Sequence, residues 1–78
     1  MNILITGASK GIGKALSIAF CQNGARNLYL ISRDLKLLEN LKSDCLTINP
    51  NCKVFIYPFD LNDSNGLKKL SERIISDS

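Results

Sequence analysis

A glycine-rich segment directly after a short apolar run restricts this chain more than any other feature. Residues 6–13 read TGASKGIG, with three glycines in seven residues, and the apolar residues 3–5 precede them. Glycine adopts backbone angles that other residues avoid, and its missing side chain leaves room for close approach. Helical periodicity begins at Ile12. The segment therefore predicts a strand that turns tightly into a helix.

The rest of the chain alternates between strand patterns and helix patterns. Strands are predicted at residues 2–6, 28–31 and 53–57, and an amphipathic segment follows each of them. The residues predicted to share one apolar helix face are Ile12, Ala15, Leu16, Ala19 and Phe20 on the first helix and Leu67, Leu70 and Ile74 on the third, and these two helices are expected to expose apolar surface in this chain. The predicted buried stripe of the second helix is Leu38, Leu41, Cys45 and Ile48.

Residues typical of helix boundaries agree with this division. Gly24 ends the first predicted helix and Pro50 closes the second. Asp34 lies near the start of the second helix, where a carboxylate favours the unpaired amides of the first turn. Asn62 or Asp63 is the predicted N-cap of the third helix.

Three strand–helix units at this spacing are typical of an α/β fold with a parallel sheet and right-handed crossovers. The predicted fold is the N-terminal βαβαβα portion of a Rossmann doubly wound parallel sheet, with strand order 3-2-1. Residues 1–78 are predicted to form a single partial dinucleotide-binding domain. The fold is predicted to be incomplete, because no fourth strand follows to cover the free edge of the first strand.

Composition excludes several classes of function. The net charge is only +3 and the basic residues are mixed with acids, which gives no reason to expect a nucleic-acid partner. No apolar run is long enough for a membrane span, and no secretion signal is expected. The chain has no histidine, so no metal site is predicted, and Cys21, Cys45 and Cys52 are expected to be reduced thiols packed in a cytoplasmic protein.

The glycine-rich turn has the features of an anion site. The N-terminus of a helix carries unpaired N–H groups and a partial positive charge, and a tight turn from a strand brings an anion to it. Gly7 is predicted to let the chain leave the strand sharply. Gly11 and Gly13 are predicted to leave room for a pyrophosphate and for packing of the helix on the sheet.

These residues resemble the short-chain dehydrogenase/reductase family. Residues 6–13 match its TGxxxGIG turn, including Ile12, and Asp60 and Leu61 resemble the family's pair at the adenine ring. The resemblance implies a Rossmann fold, a nicotinamide cofactor, and hydride transfer between that cofactor and a small-molecule carbonyl or alcohol. It also implies that the full-length protein is a homo-oligomer.

No catalytic residue is predicted in this chain. The family's Asn-Asn-Ala-Gly stretch, its serine and its Tyr-x-x-x-Lys group have no counterpart here. Tyr29 and Arg33 have a similar spacing, but they lie on and just beyond a predicted strand, where four residues rise about 13 Å. They therefore cannot act together on one hydroxyl group.

The end of the second predicted strand indicates which cofactor binds. A carboxylate there accepts hydrogen bonds from the ribose of NAD, whereas an arginine pairs with the 2′-phosphate of NADP. This chain has Ser32 and Arg33, and Ser9 and Lys10 add a hydroxyl and a positive charge from the glycine-rich turn. NADP(H) is therefore favoured over NAD(H). The alternative is a solvated surface Arg33 that faces Asp34 or an acid on the second helix.

Two hypotheses about function follow. In the first, the chain is the cofactor-binding segment of an NADPH-dependent short-chain oxidoreductase, and it is inactive alone because the catalytic part is absent. In the second, it is a stand-alone, non-catalytic module that binds a dinucleotide or another protein. The sequence does not identify the substrate.

Overall fold

The computed structural model describes residues 2–78 and contains the predicted alternation of strands and helices. The second strand is one residue longer than predicted at each end, and the third is one residue longer at its C-terminal end. The elements are β1 (Asn2–Thr6), α1 (Gly11–Gln22), β2 (Asn27–Ser32), α2 (Leu35–Ile48), β3 (Lys53–Pro58) and α3 (Ser64–Asp77).

The three strands form one parallel sheet with β2 in the centre, between β1 and β3. Residues 28–31 of β2 are buried, as expected for a strand that is covered on both faces. Residues of α1 and α2 pack against one face, and Leu70 of α3 packs against the other with Ile31 and Tyr57. This architecture confirms the predicted N-terminal part of a Rossmann sheet.

The apolar face predicted for α1 is largely exposed, and a different side of the helix packs on the sheet. Ser17 and Cys21 are the buried residues of this helix, whereas Ile12 is 80% exposed and Leu16 is 44% exposed. The polar Ser17 is tolerated in the core because its hydroxyl donates a hydrogen bond to the Gly13 carbonyl at 2.7 Å. Among the other predicted residues, Ala15 and Ala19 are exposed and Phe20 packs partly against the core.

The buried stripe of α2 was predicted in most positions. Leu38, Leu41 and Cys45 of α2 are buried, but Ile48 at its last position is 41% exposed, so its predicted burial is wrong. On the predicted apolar face of α3, Leu70 is buried and Ile74 packs against the same cluster. Leu67 on this face is 45% exposed.

The predicted helix boundaries are confirmed. Gly24 has a φ of +85°, and the amide of Ala25 donates to the Phe20 carbonyl at 3.0 Å, which closes the end of α1. The Asp34 carboxylate accepts a hydrogen bond from the Leu37 amide at 3.1 Å and caps α2. Asp63 caps α3 in the same way through the amide of Gly66, at 3.2 Å.

The three cysteines are buried together at the end of the sheet where the strands begin. The Cys21 thiol donates a hydrogen bond to the Cys45 carbonyl at 2.9 Å. Burial, reinforced by the neighbouring Cys21, raises the pKa of Cys45 to about 12 and that of Cys52 to about 11. The thiols therefore behave as small apolar side chains, as predicted.

We expect the free energy of unfolding to fall as the pH rises from 8 to 10. Cysteine in an unfolded chain loses its proton near about pH 8.5, whereas the thiols of Cys45 and Cys52 keep theirs because their pKa values are raised, so the unfolded state binds fewer protons. Each thiol then contributes a loss of up to about 1.4 kcal/mol per pH unit. Urea unfolding at each pH measures the slope, and Cys45→Ala is expected to flatten it. An equally steep slope in that variant would contradict the assignment.

Candidate functional site

An open cleft of about 910 Å³ lies at the C-terminal end of the strands. Because the strands are parallel, the segments that follow β1, β2 and β3 all meet at this end of the sheet. The residues predicted for the site that line the cleft are Gly7, Ser9, Lys10, Ser32, Arg33, Asp60 and Leu61.

The remaining predicted residues, Gly11, Ile12 and Gly13, form the first turn of α1 beside the cleft. Gly7 and Gly11 have φ values of +62° and +53°, a region that favours glycine. A β-carbon on Gly13 would lie 2.2 Å from the Gly7 carbonyl oxygen. Gly13 therefore lets α1 start directly against the turn that leaves β1.

The first turn of α1 differs from those of the other helices because no side chain caps it. Lys10 occupies the N-cap position without a side-chain hydrogen bond, and the first turn contains no acidic residue. By contrast, Asp34 caps α2 and Asp63 caps α3. The first amides of a helix have no partner within it. At α1 they remain available to an anion that approaches from the side of the glycine-rich turn.

A pair of serine hydroxyls joins the glycine-rich turn to the end of β2. The Oγ atoms of Ser9 and Ser32 lie 2.5 Å apart, and Ser9 is only 7% exposed. Ser32 Oγ also accepts a long hydrogen bond from the Asp34 amide, at 3.4 Å. The pair carries two hydroxyl protons, and the bond between the two hydroxyls uses only one of them. One proton therefore remains for another acceptor.

Two cations predicted from the sequence line the cleft. Lys10 comes from the glycine-rich turn and Arg33 follows β2, and both side chains are exposed. The Asp34 carboxylate, which is the partner in the alternative prediction for Arg33, accepts a hydrogen bond from the Leu37 amide at the start of α2.

The segment after β3 forms the third side of the cleft. Asp60 Oδ1 accepts a hydrogen bond from the Asn62 amide at 2.9 Å, which fixes the turn into α3. Leu61 is 47% exposed. The predicted Asp-Leu pair thus lies at the same end of the sheet as the glycine-rich turn, but it follows β3 rather than β1.

Sequence reasoning missed several residues of the cleft, among them Lys36, Phe59 and Asn62. Phe59 and Asn62 flank the Asp-Leu pair, and their position directly after a predicted strand could have indicated that they line the cleft. Lys36 lies in the first turn of α2, and only its place one turn from the end of β2 indicated that it reaches the cleft.

The tyrosines are not placed for acid–base chemistry. Tyr57 is buried and its hydroxyl donates to Asp77 at 2.6 Å. Burial, followed by the contact with Asp77, raises the pKa of Tyr57 far above its ordinary value. Tyr29 is buried and stacks on Phe55 of the neighbouring strand, with ring centroids 5.0 Å apart. This pair lies on a face of the sheet and does not line the cleft. Residues 2–78 contain no cluster of metal-ligating side chains and no helix long and apolar enough to cross a membrane.

The chain is similar to known oxidoreductases along its whole length. The family profile described as short chain dehydrogenase matches residues 1–78. A very-long-chain 3-oxoacyl-CoA reductase-like protein of Arabidopsis thaliana is 37% identical over 71 residues, which cover 91% of this chain and 22% of the relative. Retinol dehydrogenase 12 of Mus musculus is 31% identical over 75 residues, which cover 96% of this chain and 23% of the relative.

Solved structures have the same fold. YwfH, an NADPH-dependent reductase involved in bacilysin biosynthesis, superposes with a TM-score of 0.89 at 29% identity, over 97% of this chain and 32% of that protein. An alcohol dehydrogenase of Comamonas testosteroni that is specific for bulky-bulky ketones gives a TM-score of 0.84 at 29% identity, over 97% of this chain and 31% of that protein. The chain therefore spans less than a third of the length of its curated relatives, and it belongs to the short-chain dehydrogenase family.

Proposed function

We propose that this chain is the cofactor-binding segment of an NADPH-dependent short-chain oxidoreductase. Bound NADPH supplies a hydride, which reduces a small-molecule carbonyl compound, or the reverse reaction oxidises an alcohol. The catalytic Ser, Tyr and Lys lie outside this chain, which is inactive alone. The whole protein is proposed to be a cytoplasmic homo-oligomer.

The strongest support comes from the start of α1. Its first turn has no capping side chain, although both other helices are capped by aspartate. It follows a turn whose backbone angles require glycine at two positions, Gly7 and Gly11, and it adjoins the cleft. A pyrophosphate would provide the missing acceptors for the free amides, and its negative charge suits the positive end of the helix.

The choice of NADP(H) rests on the residues at the end of β2. Ser32 offers a hydroxyl where a carboxylate would repel a phosphate, and the neighbouring Arg33 is exposed in the cleft. A guanidinium group binds phosphate through two parallel hydrogen bonds. One hydroxyl proton of the serine pair is left for a phosphate oxygen. The NADPH dependence stated for YwfH agrees with this proposal.

Replacement of Arg33 tests the proposed cofactor. In the full-length protein, Arg33→Ala is expected to weaken NADPH binding by roughly 1.5–3 kcal/mol, the value of a hydrogen bond to a charged group. NADH binding is expected to change little, because NADH has no 2′-phosphate. Titration of cofactor fluorescence measures both affinities.

Arg26→Ala is the matched control, since Arg26 is exposed just before β2, at the opposite end of the sheet. It is expected to leave both affinities unchanged. If Arg33→Ala weakens NADPH and NADH equally, Arg33 has a structural role and the assignment to NADP(H) fails.

A further inference from the structure

We propose that Lys36 is a further specificity-determining residue of the cleft. Together with Arg33, Lys36 binds the 2′-phosphate of NADP(H). This inference rests on the proposed function. Lys36 lines the cleft from the first turn of α2, three residues after Arg33, whereas Lys10 lines it from the glycine-rich turn. Neither the resemblance nor the sequence patterns pointed to this residue.

The position of Lys36 is unfavourable for the helix that carries it. The N-terminus of a helix has a partial positive charge, so a cation in the first turn is destabilising and an acid is favoured. Lys36 is the second residue of α2, and the first turn contains no acidic residue. Stability of α2 therefore gives no reason for a lysine here, whereas an anion bound in the cleft does.

Lys36 is exposed in the lining of the cleft. The two acids that line the same cleft already accept hydrogen bonds from the backbone: the Asp34 carboxylate accepts the Leu37 amide, and the Asp60 carboxylate accepts the Asn62 amide. Each of these carboxylates is therefore engaged in part by its own turn, and the exposed ammonium group of Lys36 faces a site that a ligand can enter.

The chemistry of a phosphate monoester suits two cations of different shape. The group carries a charge of about −1.5 to −2 at neutral pH and has three terminal oxygens. A guanidinium fork binds two oxygens, and an ammonium group acts as a compact point charge for the third. Arg33 and Lys36 lie on either side of the Asp34 cap and supply these two groups. NAD(H) lacks the phosphate and gains nothing from Lys36.

Calorimetric titration of the purified protein with NADP+ and with NAD+ tests this role. Lys36→Gln is expected to lower the affinity for NADP+ about 3- to 10-fold and to leave the affinity for NAD+ unchanged. Lys36→Arg is expected to retain most of the affinity, because it keeps the charge. The loss in Lys36→Gln is expected to shrink at high salt, where exposed charges are screened.

Lys42→Gln is the matched control, because it removes the same charge from α2 outside the cleft. It is expected to bind both cofactors like the parent protein. If Lys36→Gln and Lys42→Gln have equal effects, or if Lys36→Gln weakens NAD+ as much as NADP+, the proposed contact is wrong. A parent protein that does not prefer NADP+ would instead refute the proposed cofactor.

Discussion

Gly13→Val is expected to abolish binding of NADPH and NADH alike. The first carbon of the new side chain would lie 2.2 Å from the Gly7 carbonyl oxygen, and atoms of the backbone cannot move away as the end of a side chain can. The turn or the start of α1 must therefore shift, and both form the proposed pyrophosphate site. Titration of cofactor fluorescence measures the loss, and circular dichroism reports whether the helices remain.

Gly24→Ala provides the control for stability. Gly24 also has a positive φ, of +85°, but it lies at the far end of α1 with open space around it. The substitution is expected to lower the free energy of unfolding by about 1 kcal/mol without changing cofactor affinity. Gly11→Val is expected to resemble Gly13→Val in binding, through strain at a φ of +53°. Unchanged affinity in both valine variants would refute the proposed phosphate site.

The 78-residue chain alone is expected to show no oxidation of NADPH with any carbonyl compound. Within residues 2–78, the tyrosines are buried in the sheet or bonded to Asp77, so neither can donate a proton to a substrate in the cleft. The absorbance of NADPH at a fixed wavelength measures turnover. Any steady turnover would mean that an acid among the exposed residues of the cleft performs the reaction.

The same chain is also expected not to behave as a stable monomer. β1 lies at the edge of the sheet, and Leu4 on this strand is 54% exposed. The exposed Ile12 and Leu16 of α1 add further apolar surface. A chain of this size has a marginal balance between apolar burial and conformational entropy. Sedimentation and thermal melting test this, and a monomer with a sharp cooperative transition would contradict it.

Features that depend on local chemistry were predictable from the sequence. The tight turn at Gly7 requires a positive φ, which glycine provides at little cost. The caps at Asp34 and Asp63 depend on a side chain and an amide three residues further along. The buried central strand follows from an uninterrupted apolar run between residues 28 and 31.

The orientation of α1 was not predictable in the same way. This helix is apolar on more than one side, so periodicity does not decide which side faces the sheet. Packing selects the side with Gly13 and Ser17, because glycine permits close contact with the turn and the serine satisfies its hydroxyl within the helix. Lys36 was missed for a related reason, since its place in the cleft depends on how α2 lies against the end of the sheet.

The backbone hydrogen bonds beyond the strand ends have a consequence for ligand binding. The Ala8 amide donates to the Ile31 carbonyl at 3.1 Å, and the Phe59 amide donates to the Ser32 carbonyl at 2.8 Å. The segments after β1 and β3 are therefore both tied to the central strand by hydrogen bonds within the protein backbone. Ordering a loop costs roughly 1–2 kcal/mol per residue at room temperature. These segments of the cleft are ordered when the sheet folds and not when a ligand binds. The site for the proposed dinucleotide is therefore preorganised, and less of the binding free energy is lost to ordering the protein.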